Sequence, residues 1–252
     1  TRGLKPGTLV EFKGHMLQAT LGPGVLSHNY DGLMHDLDEM TGVFLKRGEY
    51  TRALDPDREW DFEPLAKPGD IVEAADWLGQ VMENSIVHKI MVPFVFEGRY
   101  TVKSIVASGK YRVHDKIAIL TDDKGKEIPV TMVQYWPVKK AVKCYREKPR
   151  PFKMLETGVR TIDTLNPMVE GGTGFIPGPF GSGKTVMQHA ISKQAEADIV
   201  VIAACGERAN EVVEIFTEFP ELEDPRTGRK LMERTTIIAN TSNMPVDRKS
   251  VV

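Results

Sequence analysis

Gly178-Pro179-Phe180-Gly181-Ser182-Gly183-Lys184-Thr185 matches the pattern G-x-x-x-x-G-K-[ST] in full. The glycines allow the main chain to curl so that successive N–H groups converge on phosphate oxygens. A helix starting near Lys184 adds its positive N-terminal end to the same point. Lys184 then reaches the β- and γ-phosphates, and the Thr185 hydroxyl is an oxygen ligand suited to Mg²⁺. The loop predicts a preceding strand, Gly174-Phe175-Ile176, and a following helix from Thr185 to Ala195.

Downstream the alternation of strand and helix continues. Ile199 to Ala204 is a continuous apolar run, the texture of a strand covered on both faces. Ala209 to Phe219 reads as a helix, with Val212, Val213, Ile215, Phe216 and Phe219 as its buried stripe and Pro220 as its stop. Thr235 to Ala239 is a further strand. This βαβαβ order predicts a parallel sheet with right-handed crossovers. Ligands gather at the carboxyl ends of such strands. There Cys205-Gly206-Glu207-Arg208 follows the apolar run, so Glu207 is a candidate to orient the attacking water and Arg208 to brace the γ-phosphate. A bland reading of the same pair, an acidic start to the next helix, fits their position too.

Upstream the texture differs. From about Asp55 to Pro137 short β-type runs (Tyr100–Val106, Ile117–Leu120, Val130–Val133) are broken by turn sequences such as Asp122-Asp123-Lys124-Gly125. This spacing predicts a small β-barrel or sandwich. Gly69-Asp70-Ile71-Val72 and Gly109-Lys110-Tyr111-Arg112-Val113 read as two copies of one turn-and-strand unit. Between them, Val87-His88-Lys89-Ile90-Met91 is similar to the hairpin of biotinyl and lipoyl carriers, which makes Lys89 a candidate attachment point under an alternative reading. Leu17 to Leu37 fits a strand of either half, and the proline-bearing stretch Lys139 to Pro151 reads as the connection. The expected division is 1–45 as lead-in and start of the nucleotide-binding domain, 46–138 as β-rich insertion and 139–252 as phosphate-loop domain.

Composition sets the limits. The chain has 252 residues, 41% of them hydrophobic, and a formal net charge of −2. There is material for a real core and no global field to attract nucleic acid or an anionic membrane. Cys144 and Cys205 form no metal-type spacing and fit a reduced compartment. The six histidines show no HExxH or related spacing and read as surface or packing residues. Trp60, Trp77 and Trp136 read as core or interface anchors. No apolar run is long enough to span a bilayer.

The string from Gly178 through Val186 closely resembles the Walker A loop of the catalytic A subunit of V/A-type ATPases, in which Pro-Phe follows the first glycine. Cys205-Gly206-Glu207-Arg208-Ala209-Asn210-Glu211 looks like the GER-x-NE segment of that family. Asn240-Thr241-Ser242-Asn243-Met244-Pro245 and Pro151-Phe152, Thr157-Gly158-Val159-Arg160 and Asp163 are family-like as well. The resemblance covers nearly the whole chain. It implies an α/β fold, a partial RecA-like phosphate-loop sheet with the β-rich region as an inserted "bulge" domain. It implies a site for ATP or ADP with Mg²⁺, formed by Gly178 to Val186, with Lys184, Glu207 and Arg208 catalytic and Thr185 on the metal.

It further implies non-catalytic B subunits alternating in a hetero-hexameric ring, central and peripheral stalk subunits, an indirect link to a membrane rotor driving H⁺ or Na⁺, and no nucleic-acid partner. The expected location is peripheral, on the cytoplasmic face of a membrane. The family continues past the Asn-Met-Pro segment into a Walker B strand and a helical domain, and begins with a β-barrel. The chain is accordingly expected to be an internal piece, weak in binding and poor in turnover by itself. A non-catalytic nucleotide-binding or regulatory subunit is the other alternative.

Overall fold

A computed structural model describes residues 5–12, 14–40, 50–145, 147–179, 181–242 and 244. The expected boundary at 45/46 and the stretch from Asp247 to Ser250 lie outside these residues, as does Phe180 of the phosphate loop.

The lead-in carries β1 (Gln18–Leu21) and β2 (Asn29–Asp31). The β-rich region follows with β3 (Glu59–Pro64), β4 (Ile71–Val72), β5 (Trp77–Glu83), β6 (Ile86–Met91), β7 (Tyr100–Ile105), β8 (Gly109–Arg112), β9 (Ala118–Thr121), β10 (Glu127–Val130) and β11 (Gln134–Pro137). Two four-stranded antiparallel sheets form, in the orders β6-β5-β3-β8 and β10-β9-β7-β4. β3 shows why: Trp60 and Phe62 point inward while Glu59, Asp61 and Glu63 stay in water, the period-two pattern of a half-buried strand. Trp60 and Phe62 pack with Val81, Ile90, Val113 and Ile117, and a second cluster gathers Leu78, Val92, Val102 and Leu120. Gly79 lets the sheet close over Phe62, because a Cβ there would sit 2.3 Å from the ring. The register shifts at the same place.

The two turn-and-strand copies become β4 and β8, in different sheets. Val130–Val133 is not one strand: β10 ends at Val130 and β11 begins at Gln134, with Thr131 Oγ1 donating to Val133 O across the bend. Trp60 is core, whereas Trp77 is 57% exposed with Lys89 Nζ 4.8 Å over its ring. Lys89 itself lies inside β6, its Nζ bonded to Gln80 Oε1, and the β5–β6 turn is at Asn84-Ser85. That placement removes the carrier-tip geometry assumed for Lys89.

The α/β half contains β12 (Met154–Leu155), α1 (Arg160–Leu165), β13 (Met168–Val169), α2 (Lys184–Gln194), β14 (Val200–Glu207), α3 (Ala209–Glu218), a 3₁₀ turn (Leu231–Arg234) and β15 (Thr235–Thr241). β14, β15 and β2 form an all-parallel sheet in that order. The lead-in therefore serves both halves, because β1 pairs with β11 and β2 with β15. Gly174-Phe175-Ile176 departs from expectation. It has no regular structure and Phe175 is 87% exposed. A strand exists only where a neighbouring edge takes its backbone groups, and no described strand pairs with it.

β15 is the central strand and Ile237 is fully buried, so the exposed apolar residues are Ile199 and Val201 at and beside β14. On α3, Val212, Ile215 and Phe219 are buried, whereas Val213 is 55% exposed because it falls off the i, i+3, i+4 stripe. A seam joins the halves: Glu83, 1% exposed, accepts from Gly24 N at 2.8 Å and Leu26 N at 2.9 Å. Beside it Asn84 Nδ2 donates to Ser27 Oγ and Glu233 O.

Candidate nucleotide site

The stretch from Gly178 into α2 is curled. Ser182 N donates to Pro179 O at 3.3 Å, and Gly181 and Gly183 have φ of +79° and +80°, left-handed values that glycine adopts without strain. The loop folds back on itself so closely that a Cβ on Gly178 would lie 2.4 Å from Ser182 Oγ. Gly183 is the N-cap of α2 and no side chain caps that end. The first amides of the helix are thus left to a ligand, and the helix dipole favours an anion there. Lys184 and Thr185 open the helix, both partly buried, while Val186 is 73% exposed.

β14 carries Glu207 at its carboxyl end, and Arg208 is the N-cap of α3. The strand runs three residues further than the apolar run suggests, since its backbone pairing with β15 continues through Glu207 and Thr241. Glu207 is therefore a strand-end residue and not the first turn of α3. Arg208 is exposed.

Two residues to which sequence reading assigned no role complete the site. Glu211, in the first turn of α3, accepts a hydrogen bond from Thr185 Oγ1 on Oε2 at 3.1 Å. His189, the buried residue of α2, sets its ring edge-on to Phe219 at 6.2 Å. Thr185, His189, Glu207 and Glu211 line one cavity of about 300 Å³ between α2, β14 and α3. The sequence signals for Glu211 were its place at the end of the GER-x-NE-like segment and its spacing four residues after Glu207, but neither assigns it a role, and an acidic residue in a first helical turn is commonplace.

Burial pushes the Glu207 carboxyl above the usual carboxylate range, and the adjacent Glu211 adds to this. Lys184 and His189 pull in the opposite direction. An acid so placed is a better proton acceptor near neutral pH than an ordinary carboxylate. Thr185 Oγ1 and the Glu211 carboxylate together form an oxygen donor pair, which suits a hard cation such as Mg²⁺.

Residues 51–139 match the barrel-sandwich domain of ATP synthase alpha/beta subunits, and residues 158–252 match the nucleotide-binding domain of the ATP synthase alpha/beta family. The V-type ATP synthase alpha chain of Treponema denticola is 55% identical over 249 residues, which is 98% of this chain and 42% of that protein. The V-type ATP synthase alpha chain 1 of Treponema pallidum is 53% identical, with the same shares of the two chains. The alpha chain of Borrelia turicatae is 51% identical, again over 98% of this chain and over 43% of its own length. The chain thus spans about two-fifths of the length of these relatives. Two adjoining domains matched in order, and about half of the residues identical along nearly the whole chain, place it with the V/A-type alpha chains of the ATP synthase alpha/beta family, to which it belongs.

Proposed function

We propose that this chain provides the catalytic phosphate site of a rotary V/A-type ATPase, one that couples ATP hydrolysis or synthesis to H⁺ or Na⁺ movement across a membrane. The observation that carries the reading is the curled loop, which brings the open N-terminus of α2, Lys184 and Thr185 beside the strand-end Glu207. Main-chain N–H groups of the stretch from Gly178 to Val186, to which Pro179 contributes none, hold the phosphates of ATP or ADP, and the Lys184 ammonium offsets the charge on the transferred group. Glu207 orients the attacking water and receives its proton, a role helped by its raised affinity for a proton. Arg208, at the head of α3, stabilises charge on the γ-phosphate.

Thr185 Oγ1 and Glu211 would hold Mg²⁺, which when bound neutralises phosphate charge. Lys184 and Thr185 are adjacent at the start of α2, so the ammonium and the hydroxyl address one phosphate tail.

The likeness to V-type ATP synthase alpha chains supports a wider setting. In it the chain alternates with non-catalytic B subunits in a hetero-hexameric ring and meets central and peripheral stalk subunits. It reaches the membrane rotor indirectly, on the cytoplasmic face. No described helix is long and apolar enough to cross a membrane. The division into 1–45, 46–138 and 139–252 belongs to the same proposal.

A titration with ATP separates this reading from a loop of glycines with an incidental lysine. Lys184→Ala is expected to weaken binding by about 2 kcal/mol, roughly 30-fold, with the far-ultraviolet circular dichroism unchanged. Equal affinity in both proteins sinks the phosphate assignment. Glu207→Gln in the assembled ring should keep nucleotide and lose turnover; retained turnover would favour a merely nucleotide-binding, non-catalytic subunit.

A further inference from the structure

Three carboxylates buried around β2 each meet a histidine. Asp31 Oδ2 lies 2.8 Å from His35 Nδ1, Glu83 Oε2 lies 2.6 Å from His88 Nδ1, and Asp36 Oδ2 lies 2.7 Å from His28 Nδ1. The first two contacts are hydrogen bonds. The third is not. His28 Nδ1 approaches Asp36 without hydrogen-bond alignment, forms no hydrogen bond with any described group, and is closed off from solvent. A carboxylate oxygen of Asp38 lies in the same place, so that one ligand atom from each of His28, Asp36 and Asp38 falls within 4.8 Å of the others.

The supporting contacts hold these side chains as metal ligands are held. Asp36, 4% exposed, accepts the Asp38 amide on Oδ1 at 2.8 Å, which leaves Oδ2 turned to His28. Asn29 Nδ2 donates to both oxygens of Asp38, at 3.1 and 3.2 Å. Outer partners of this kind fix the direction of a ligating carboxylate. The His28 side chain is 38% exposed, which gives an ion a way in.

We propose that His28, Asp36 and Asp38 form a site for a divalent transition cation, with Zn²⁺ as the best match. With its proton on Nε2, the His28 ring presents the Nδ1 lone pair. One nitrogen and two carboxylate oxygens, with water in the fourth position, form a donor set that Zn²⁺ accepts. Mg²⁺ and Ca²⁺ favour all-oxygen sets, so the imidazole selects against them. The ion would tie the chain just before β2 to the loop after it, and so fasten the edge strand of the parallel sheet. The site is separate from the phosphate loop and does not depend on the function proposed above.

The test is a calorimetric titration of the chelator-stripped chain with ZnCl₂ in the absence of nucleotide, comparing wild type with His28→Gln, Asp38→Asn and Thr185→Ala. The expected result is one Zn²⁺ per wild-type chain, at least roughly tenfold weaker binding in His28→Gln and in Asp38→Asn, and no change in Thr185→Ala. His28→Gln alters a side chain at the surface, and a thermal melt checks that it folds. Three results overturn the proposal: no binding by wild type, undiminished binding by a folded His28→Gln, or loss of binding in Thr185→Ala, which would place the ion at the phosphate site.

Discussion

The two halves of the chain cover their sheets unequally. In the β-rich half, two four-stranded sheets carry two buried clusters, one of nine residues and one of eight, so each sheet has an inner face to press against. In the α/β half the buried clusters hold four residues and three, all on the side of β14 and β15 that meets α3 and the 3₁₀ turn. The other side of β14 presents Val201 to solvent, and the segment leading into the phosphate loop pairs with no described strand. Among the described residues, the half proposed to hold nucleotide is thus the less consolidated one.

The sharpest way to break this comparison is to hollow each core in turn. Phe62→Ala is expected to destabilise the β-rich half by about 3–5 kcal/mol, since its ring is fully buried among Trp60, Val81 and Ile90. Phe219→Ala should act only on the α/β half. Unequal halves joined by a thin seam need not unfold together. In urea, monitored by circular dichroism, two transitions are expected, the later one moved by Phe62→Ala and the earlier one by Phe219→Ala. A single transition moved by both variants would show that the halves share one stability.

The seam itself gives the next largest effect. Burial alone would raise the Glu83 carboxyl, but the hydrogen bonds from His88, Leu26 and Gly24 together outweigh it and hold the group below the usual range. A carboxyl depressed in the folded state stabilises the fold at and above neutral pH, and that contribution is lost as pH falls through its folded pKa. Glu83→Ala leaves two amides without their acceptor and should cost roughly 2–4 kcal/mol at pH 7. The gap between wild type and Glu83→Gln should shrink as the solution is acidified below about pH 4. A gap that is constant from pH 7 to pH 3 would mean that Glu83 does not act at the seam as a charge.

What could be read from the sequence follows the same division. The phosphate loop, α2, β14, α3 and β15 were legible because each carries its own local signal: glycines at fixed offsets, a continuous apolar run, a stripe at helical spacing. The strand-end position of Glu207, three residues beyond such a run, was legible too. The partner of β15 was not, because β2 has three residues and lies about two hundred positions away in the chain, and strand pairing leaves no local mark at that distance. Gly174-Phe175-Ile176 was misread for the complementary reason: propensity names a candidate strand, but only an available edge makes one. The Glu211 and His189 contributions depend on how α2 and α3 pack against β14. His28, Asp36 and Asp38 escaped a search for metal spacing because the turn after β2, and not a repeat in sequence, brings them together.

The smallest expected effect tests the open face directly. Val201 is 63% exposed and lines an apolar cleft of about 700 Å³ with Leu21, Ile86, Met91 and Ile238. A side chain that is already largely in water has little burial to lose, so Val201→Ser should change stability by no more than about 0.5 kcal/mol. Removing its two methyl groups does reduce the apolar surface on offer, and binding of a hydrophobic dye should fall. Low cost with reduced dye binding is the signature of an uncovered face. A loss of 2 kcal/mol or more, of the order expected for a core valine, would instead mean that the α/β half closes over β14 in solution, and the contrast between the two halves would narrow to the unpaired segment before the phosphate loop.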